Sequence, residues 1–497
     1  MIQLRSLMQE KKLKGRWLRV DWVEKAEEVS WKTLHKKLSN TKRNYYRFGL
    51  ALDEEFNTAF LEQELNANAM LYGGNTIKHA VVNESNFLVY AQKRFSKDCL
   101  IDFSDDQPVF ILSTCGIFCD ENHNRFMLNG PGLDAGRRRI EDMSKEQVFS
   151  LIKDGSDYLA RQVKDNGQFV YGTHPCFNRE IDTYNALRHA STLYSMIEAW
   201  ELTQSEVLKS KIDNALDYLV SSLIKELPLP DGSNVAFLID IDNEIKLGGN
   251  AVCLLALTQY CLIFKTDRYL DLLEKLALGI LHMQNADFSF SHILSYPSLK
   301  VKEKFRIIYY DGEATFGLMR LYELTGDKRW LNAVENSFKY FIEQQHWKHH
   351  DHWLSYCVNE LTAVKPEKGY YQFGIQNFLT YLDFIKNRIT TYPTLLELIM
   401  AADKMLSRMK QNNSFSDLLD IIDFEKFYQS LEARAHNLLN GFFWPEYAMY
   451  FARPSQIAGS FFIRHHSFRI RIDDIEHNLS GLVAYYRYKI NKLTAEQ

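Results

Sequence analysis

Gly249-Asn-Ala-Val-Cys-Leu-Leu-Ala-Leu-Thr-Gln-Tyr260, followed by Thr266-Asp-Arg-Tyr-Leu270, has a counterpart further along the chain. It is Gly312-Glu-Ala-Thr-Phe-Gly-Leu-Met-Arg-Leu-Tyr322, followed by Thr325-Gly-Asp-Lys-Arg-Trp-Leu331. Each copy opens with small residues, continues as an apolar helix, and turns at Thr and Asp into a second helix. Small residues let a neighbouring backbone approach closely, so the first helix of each pair suits an inside position. A repeat of paired helices with a period of roughly 60 residues marks a solenoid or a toroid.

The same opening recurs six times. Clusters of polar, aromatic or glycine residues start helices at Tyr184-Asn-Ala-Leu-Arg-His189, Gly248-Gly-Asn250, Tyr310-Asp-Gly-Glu313, His349-His-Asp-His352, Thr391-Tyr-Pro393 and Asp473-Asp-Ile-Glu-His477. Plainer helices lie between them. The 3.6-residue period predicts twelve helices, at 148–163, 184–202, 206–224, 249–264, 267–284, 311–325, 328–345, 351–362, 369–387, 393–410, 424–440 and 475–489. Ser144-Lys-Glu-Gln147 offers a capping box for the first. The fold class expected is mainly α: an (α/α)6 toroid over 146–497, free of β-strands to about residue 490. Its six inner helices run parallel, so their N-termini share one mouth.

Residues 1–145 read as a smaller, mixed α+β region. Val109-Phe-Ile-Leu-Ser-Thr-Cys-Gly-Ile-Phe118, the polar turn Asp120-Glu-Asn-His-Asn124 and Arg125-Phe-Met-Leu128 form a hairpin signal. Asn57 to Leu71 has a more helical pattern.

Composition is that of a globular protein, 46% apolar and 25% charged over 497 residues. A net charge of −4 gives no footprint for nucleic acid. No window reaches the ~20 apolar residues of a membrane span. Seven scattered cysteines form no disulfide framework, and no signal peptide opens the chain, so a cytoplasmic location is expected. Glycine-rich phosphate loops, nucleotide fingerprints and a G-x-S-x-G elbow are absent, which argues against a kinase, a dehydrogenase or a serine hydrolase and leaves no cofactor to expect.

The span from Gly249 to Gln344, with its Tyr309-Tyr-Asp-Gly-Glu-Ala314 and Leu321-Tyr-Glu-Leu-Thr-Gly-Asp-Lys-Arg-Trp330 wording, resembles six-hairpin carbohydrate-active proteins. These include (α/α)6 glycoside hydrolases, the acylglucosamine epimerase group and the C-terminal domain of D-glucuronyl C5-epimerases. The resemblance covers roughly the last 350 residues. It implies the architecture and, more loosely, a saccharide substrate. Terpene and lanthionine cyclases share the ring, so chemistry has to be read from the site.

Tyr310, Asp311 and Glu313 place carboxylates beside aromatic rings at an inner-helix start, which suits acid–base work on a stacked sugar. Asp311 equally suits an N-cap of its helix, and Glu313 sits in a favourable first turn. Arg469, Arg471 and Asp473 share one face of an extended segment, where paired arginines would bind an anion bidentately. A salt-bridge ladder to Asp473 or Asp474 is the structural alternative. His349, Asp351 and His352 raise a metal site, but no full ligand set follows at workable spacing. The reading is no metal, with His352 and His477 catalytic and Asp351 binding substrate while capping its helix. Arg188 lies on the face of Tyr184, and with Asn250 completes the expected binding residues; His189 is as readily a core histidine.

The leading function is a carbohydrate-active enzyme, an epimerase, lyase or hydrolase, acting on a saccharide, with anionic saccharides among the candidates. A non-catalytic glycan- or peptide-binding subunit is the alternative. A cyclase-like peptide-modifying enzyme is a third, weakened by the lack of a Cys-Cys-His zinc set.

Overall fold

The computed structural model describes residues 16–412 and 414–495. Twelve helices make the ring. In chain order they are α1 (Lys145–Gln162), α2 (Ala186–Thr203), α3 (Glu206–Tyr218), α4 (Leu247–Phe264), α5 (Leu270–His282), α6 (Tyr309–Thr325), α7 (Lys328–Glu343), α8 (His352–Val364), α9 (Lys368–Leu379), α10 (Thr394–Gln411), α11 (Phe424–Leu438) and α12 (Ile472–Ala495). Successive even-numbered helices pack on one another, and α12 returns to pack on α2, so the inner ring closes. The odd-numbered helices pack outside them.

Apolar content sorts the two layers. The inner α4 is buried along Leu247–Cys261, with glycines at 248 and 249 and alanines at 251 and 256. An all-apolar helix is stable only where neighbours cover every face. By length and composition Leu247–Phe264 could cross a membrane, yet 83% of it is buried inside the ring. The outer α7 is two-faced, burying Trp330, Leu331, Val334, Phe338 and Phe341 and turning its charges outward.

Two expectations need correction. Short strands do occur inside the ring span, at Gly172–His174, Arg179–Glu180, Ile224–Pro228, Asn234–Leu238, Glu244–Lys246, Ile293–Ser295, Lys300–Glu303 and Ile470–Arg471. All lie in connections that lead into inner helices, where long loops must satisfy their own backbone groups, and hairpins do so locally. The helix expected over 369–387 is broken, α9 ending at Leu379 and a short helix resuming at Leu382–Asn387.

Ahead of the ring, β1 (Leu18–Ser30), β2 (Gly49–Ala51), β3 (Ala59–Phe60), β4 (Pro108–Cys119) and β5 (Arg125–Leu128) form one antiparallel sheet. The predicted hairpin is β4–β5, paired from Gly116↔Leu128 to Cys119↔Arg125. Trp31, Phe60, Phe87 and Val109 sit in a second core beside it. Charged contacts bind this sheet domain to the ring: Arg138 and the carboxylate of Glu446 pair at 2.8 Å, and Arg43 donates to the carbonyl of His465.

Candidate functional site

First-turn residues of neighbouring inner helices touch one another, which locates the mouth. Arg188 of α2 donates to Asp473 of α12 at 2.7 Å. His477 of α12 bonds Glu397 of α10 at 2.9 Å, and its ring lies 5.2 Å from that of His352 of α8. Tyr309 of α6 packs on His352, and its hydroxyl lies 3.4 Å from that of Tyr392, just before α10.

Glu313 depends on a glycine across the helix interface. A Cβ on Gly248 of α4 would stand 1.9 Å from Glu313 Oε2 and 2.4 Å from Tyr310 Cδ1. Only a residue without a side chain leaves room for both. A Cβ on Gly249 would meet nothing nearer than 3.4 Å. We therefore expect Gly248→Ala to displace the Glu313 carboxyl and to lose activity, with about 1–3 kcal/mol of stability, while Gly249→Ala changes neither. Parallel assays and thermal scans decide it; equal behaviour of the two variants would contradict the packing argument.

The Glu313 carboxyl is buried, and its Oε2 has no hydrogen-bond partner within the protein. Burial, and then the neighbouring Asp351 carboxylate, push its pKa well above the ordinary value, against opposition from His477 and Arg188. Its surroundings therefore favour the protonated carboxyl. Asp351 is fully buried, caps α8 by accepting from Trp353 N and Leu354 N, and is raised to about 7, chiefly by burial.

His477 goes the other way. Burial works to lower its pKa, but Glu476 and Glu397 overcome it and raise the ring to about 10. Glu476 keeps both oxygens buried without a hydrogen bond, and burial lifts its pKa well above normal. Burial holds His352 at about 3, so it stays neutral with Nε2 unpartnered. Because the fold raises the pKa of His477, the stability from its proton is complete below about pH 6.5 and is lost as pH rises toward 10. The thermal midpoint is expected to fall across that window. His477→Gln should flatten the fall; a variant that declines as steeply as the parent would assign it to another group.

The expected arginines are present but already matched. Asp473 accepts from Arg188 and from Arg471 Nη2 at 2.6 Å, and Arg469 pairs with Asp474 at 2.8 Å. Burial would raise the pKa of Asp473, yet the two arginines hold it below the ordinary value. The ladder reading of this segment is the observed geometry.

Two expected residues are not brought to the mouth. Asp311 points to His292, whose Nε2 lies 3.3 Å away, beside a separate cavity of about 530 Å³ shared with Tyr340 and His346. His292 Nδ1 accepts from Arg306 N, so Nε2 carries the proton toward Asp311. Positions two apart on a helix diverge by about 200°, which is why Asp311 and Glu313 part company. Asn250 is fully buried; it accepts from Leu238 N and donates to the Lys246 carbonyl, so its amide is consumed in holding the connection to α4. His189 is likewise internal, bonded to Tyr184 and the Ala215 carbonyl.

Glu397 and Glu476 were missed as site residues. A glutamate inside the apolar run Thr394-Leu-Leu-Glu-Leu-Ile-Met400 was the available signal. The ligand-type atoms of His352, Glu397 and His477 lie within 4.8 Å of one another, the described grouping that could hold a metal ion. It shares only His352 with the His349–His352 segment considered from sequence. His477 Nδ1 is engaged with Glu397, so a metal would have to displace that hydrogen bond.

No family model matches the chain, and no curated protein matches it in sequence. Solved structures share its fold. A cellobiose 2-epimerase from Bacillus thermoamylovorans aligns over 69% of this chain and 100% of its own, at 11% identity and a TM-score of 0.53. A D-mannose isomerase aligns over 69% and 98%, at 13% identity and 0.53. A cellobiose 2-epimerase from Spirochaeta thermophila aligns over 70% and 98%, at 10% identity and 0.50. The (α/α)6 toroid expected from the repeat is thereby shown.

Proposed function

We propose that the mouth is the active site of a carbohydrate-active enzyme that moves a proton at a sugar carbon, as an epimerase or isomerase does. The observation that carries this reading is the pairing of unlike groups in one water-poor place. Glu313 is a buried carboxyl held toward its protonated form with a free oxygen, and a few side chains away His477 is a cation bonded to the Glu397 carboxylate. Groups whose environments drive their pKa values apart can divide the work of acid and base. Tyr309, Tyr310 and His352 supply flat faces beside them. The kinship in fold with sugar epimerases and an isomerase supports the choice of a saccharide.

In this reading Glu313 donates to the sugar oxygen while the Glu397 carboxylate, held by the His477 imidazolium, takes and returns the carbon-bound proton. Arg188 and Arg471 hold Asp473 ionised and fix the rim. The test is incubation with a panel of reducing mono- and disaccharides in deuterated water, followed by proton NMR. Deuterium entering at the carbon next to the anomeric centre supports proton transfer. Free monosaccharide released from disaccharides without deuterium in the sugar skeleton would replace this reading with hydrolysis.

A further inference from the structure

A group of cations without a carboxylate partner lies beside the mouth, where the sheet domain meets the segment before α12. Thr41-Lys-Arg43 and Lys78-His79 run side by side: Lys42 bridges to His79, and Arg43 N donates to the Lys78 carbonyl at 2.9 Å. The Arg43 guanidinium is buried and committed to the carbonyls of Gly74, Asn75, Ile77 and His465. It thus fastens both segments to the His465-His466 turn. The result is a cavity of about 470 Å³ lined by Lys42, Lys78, His79, His465 and His466, with Arg43 at its wall.

Among the described residues, no carboxylate pairs with Lys42, Lys78, Arg388, His465 or His466. The charges of Lys42, Lys78 and Arg388 press on one another. Burial lowers the pKa of Lys42, and Arg388 and Lys78 lower it further. Burial and then the surrounding cations hold His465 at about 3 and His466 at about 4. A fold gathers like charges at a cost unless something of opposite charge sits among them. The pocket is also connected to the mouth. Arg388 lies over the Tyr392 ring at 5.4 Å, and Tyr392 meets Tyr309, which packs on His352.

We propose that this pocket binds an oxyanion, a phosphate or sulfate ester, carried by the same molecule whose reacting end occupies the mouth. The assignment to that molecule rests on the reading of the mouth as the reacting site. Lysine ammonium groups are compact donors suited to a tetrahedral anion, and imidazoles beside them can gain a proton when the anion arrives. The arginines expected to hold an anion cannot serve, since Asp473 and Asp474 already neutralise them.

The experiment is calorimetric titration of the full-length protein with inorganic phosphate and, separately, with a sulfated tetrasaccharide. Both should bind, the tetrasaccharide more tightly. Lys42→Glu/Lys78→Glu, at two exposed side chains, should weaken both by roughly tenfold or more per reversed charge. Glu313→Gln should bind inorganic phosphate as the parent does and lose part of the tetrasaccharide's advantage, so a failed pocket and a failed mouth give different results. Absence of phosphate binding, or binding indifferent to the double reversal, would overturn the site. Equal affinity for the two ligands would make it a free-anion site and overturn its assignment to the substrate.

Discussion

Glu313→Gln is expected to reduce turnover by roughly 10²–10⁴-fold, the usual contribution of a positioned proton donor, with the fold unchanged. The amide matches the carboxyl in shape. It also matches in charge the protonated carboxyl that burial and the nearby Asp351 favour. The variant therefore removes the transferable proton and little else, so its circular dichroism and thermal midpoint should overlay those of the parent. Deuterium wash-in on any sugar the parent turns over provides the rate. A glutamine variant with unchanged rate would remove Glu313 from the chemistry and leave the mouth without its acid.

Asp473→Asn should be the most destabilising single change at the mouth. Its carboxylate joins the last inner helix to the first, accepting from Arg188 while Arg471 grips it from the strand beside it. Loss of the charge leaves two guanidiniums facing a neutral amide. Breaking a buried pair costs about 3–5 kcal/mol. The side chains of Arg188 and Arg471 are 32% and 18% exposed, so water takes up part of the difference and about 2–3 kcal/mol is expected. Glu201→Gln breaks the surface pair with Arg487, also between α2 and α12, and should stay within about 0.5 kcal/mol. Urea unfolding of both variants measures the contrast. Equal losses would show that Asp473 is not what holds the ring shut.

The ring was legible because its physics repeats. Six inner helices must each bury every face, so small residues recur at their starts, as at Gly248 and Gly312, and the period shows in a single sequence. The helix starts moved by no more than a few residues: 311 became Tyr309 and 475 became Ile472. The sheet connections were not legible, since strands of two to five residues carry too little pattern to stand out. The long strand β1 passed unread because much of Leu18–Ser30 is exposed and charged.

The site was legible in place but not in pairing. Which residues crowd a helix start is local information, so Glu313, Asp351, His352 and His477 could be named. Which of them face one another depends on helix rotation and on neighbours hundreds of positions away. Asp311 turned to His292, and the three arginines turned to Asp473 and Asp474. Glu397 was hidden for the same reason: its partner His477 lies on another helix.

The mouth should hold Glu313 toward its carboxylic acid form. Infrared difference spectroscopy of the parent against Glu313→Gln, titrated with acid and base, reads it without any substrate. A protonated-carboxyl band assigned to Glu313 should persist well above the ordinary glutamate range. A band that disappears at the ordinary glutamate pKa, near pH ~4.3, would mean that Glu313 is ionised in the working protein, and the account of the mouth as an acid–base site would fall.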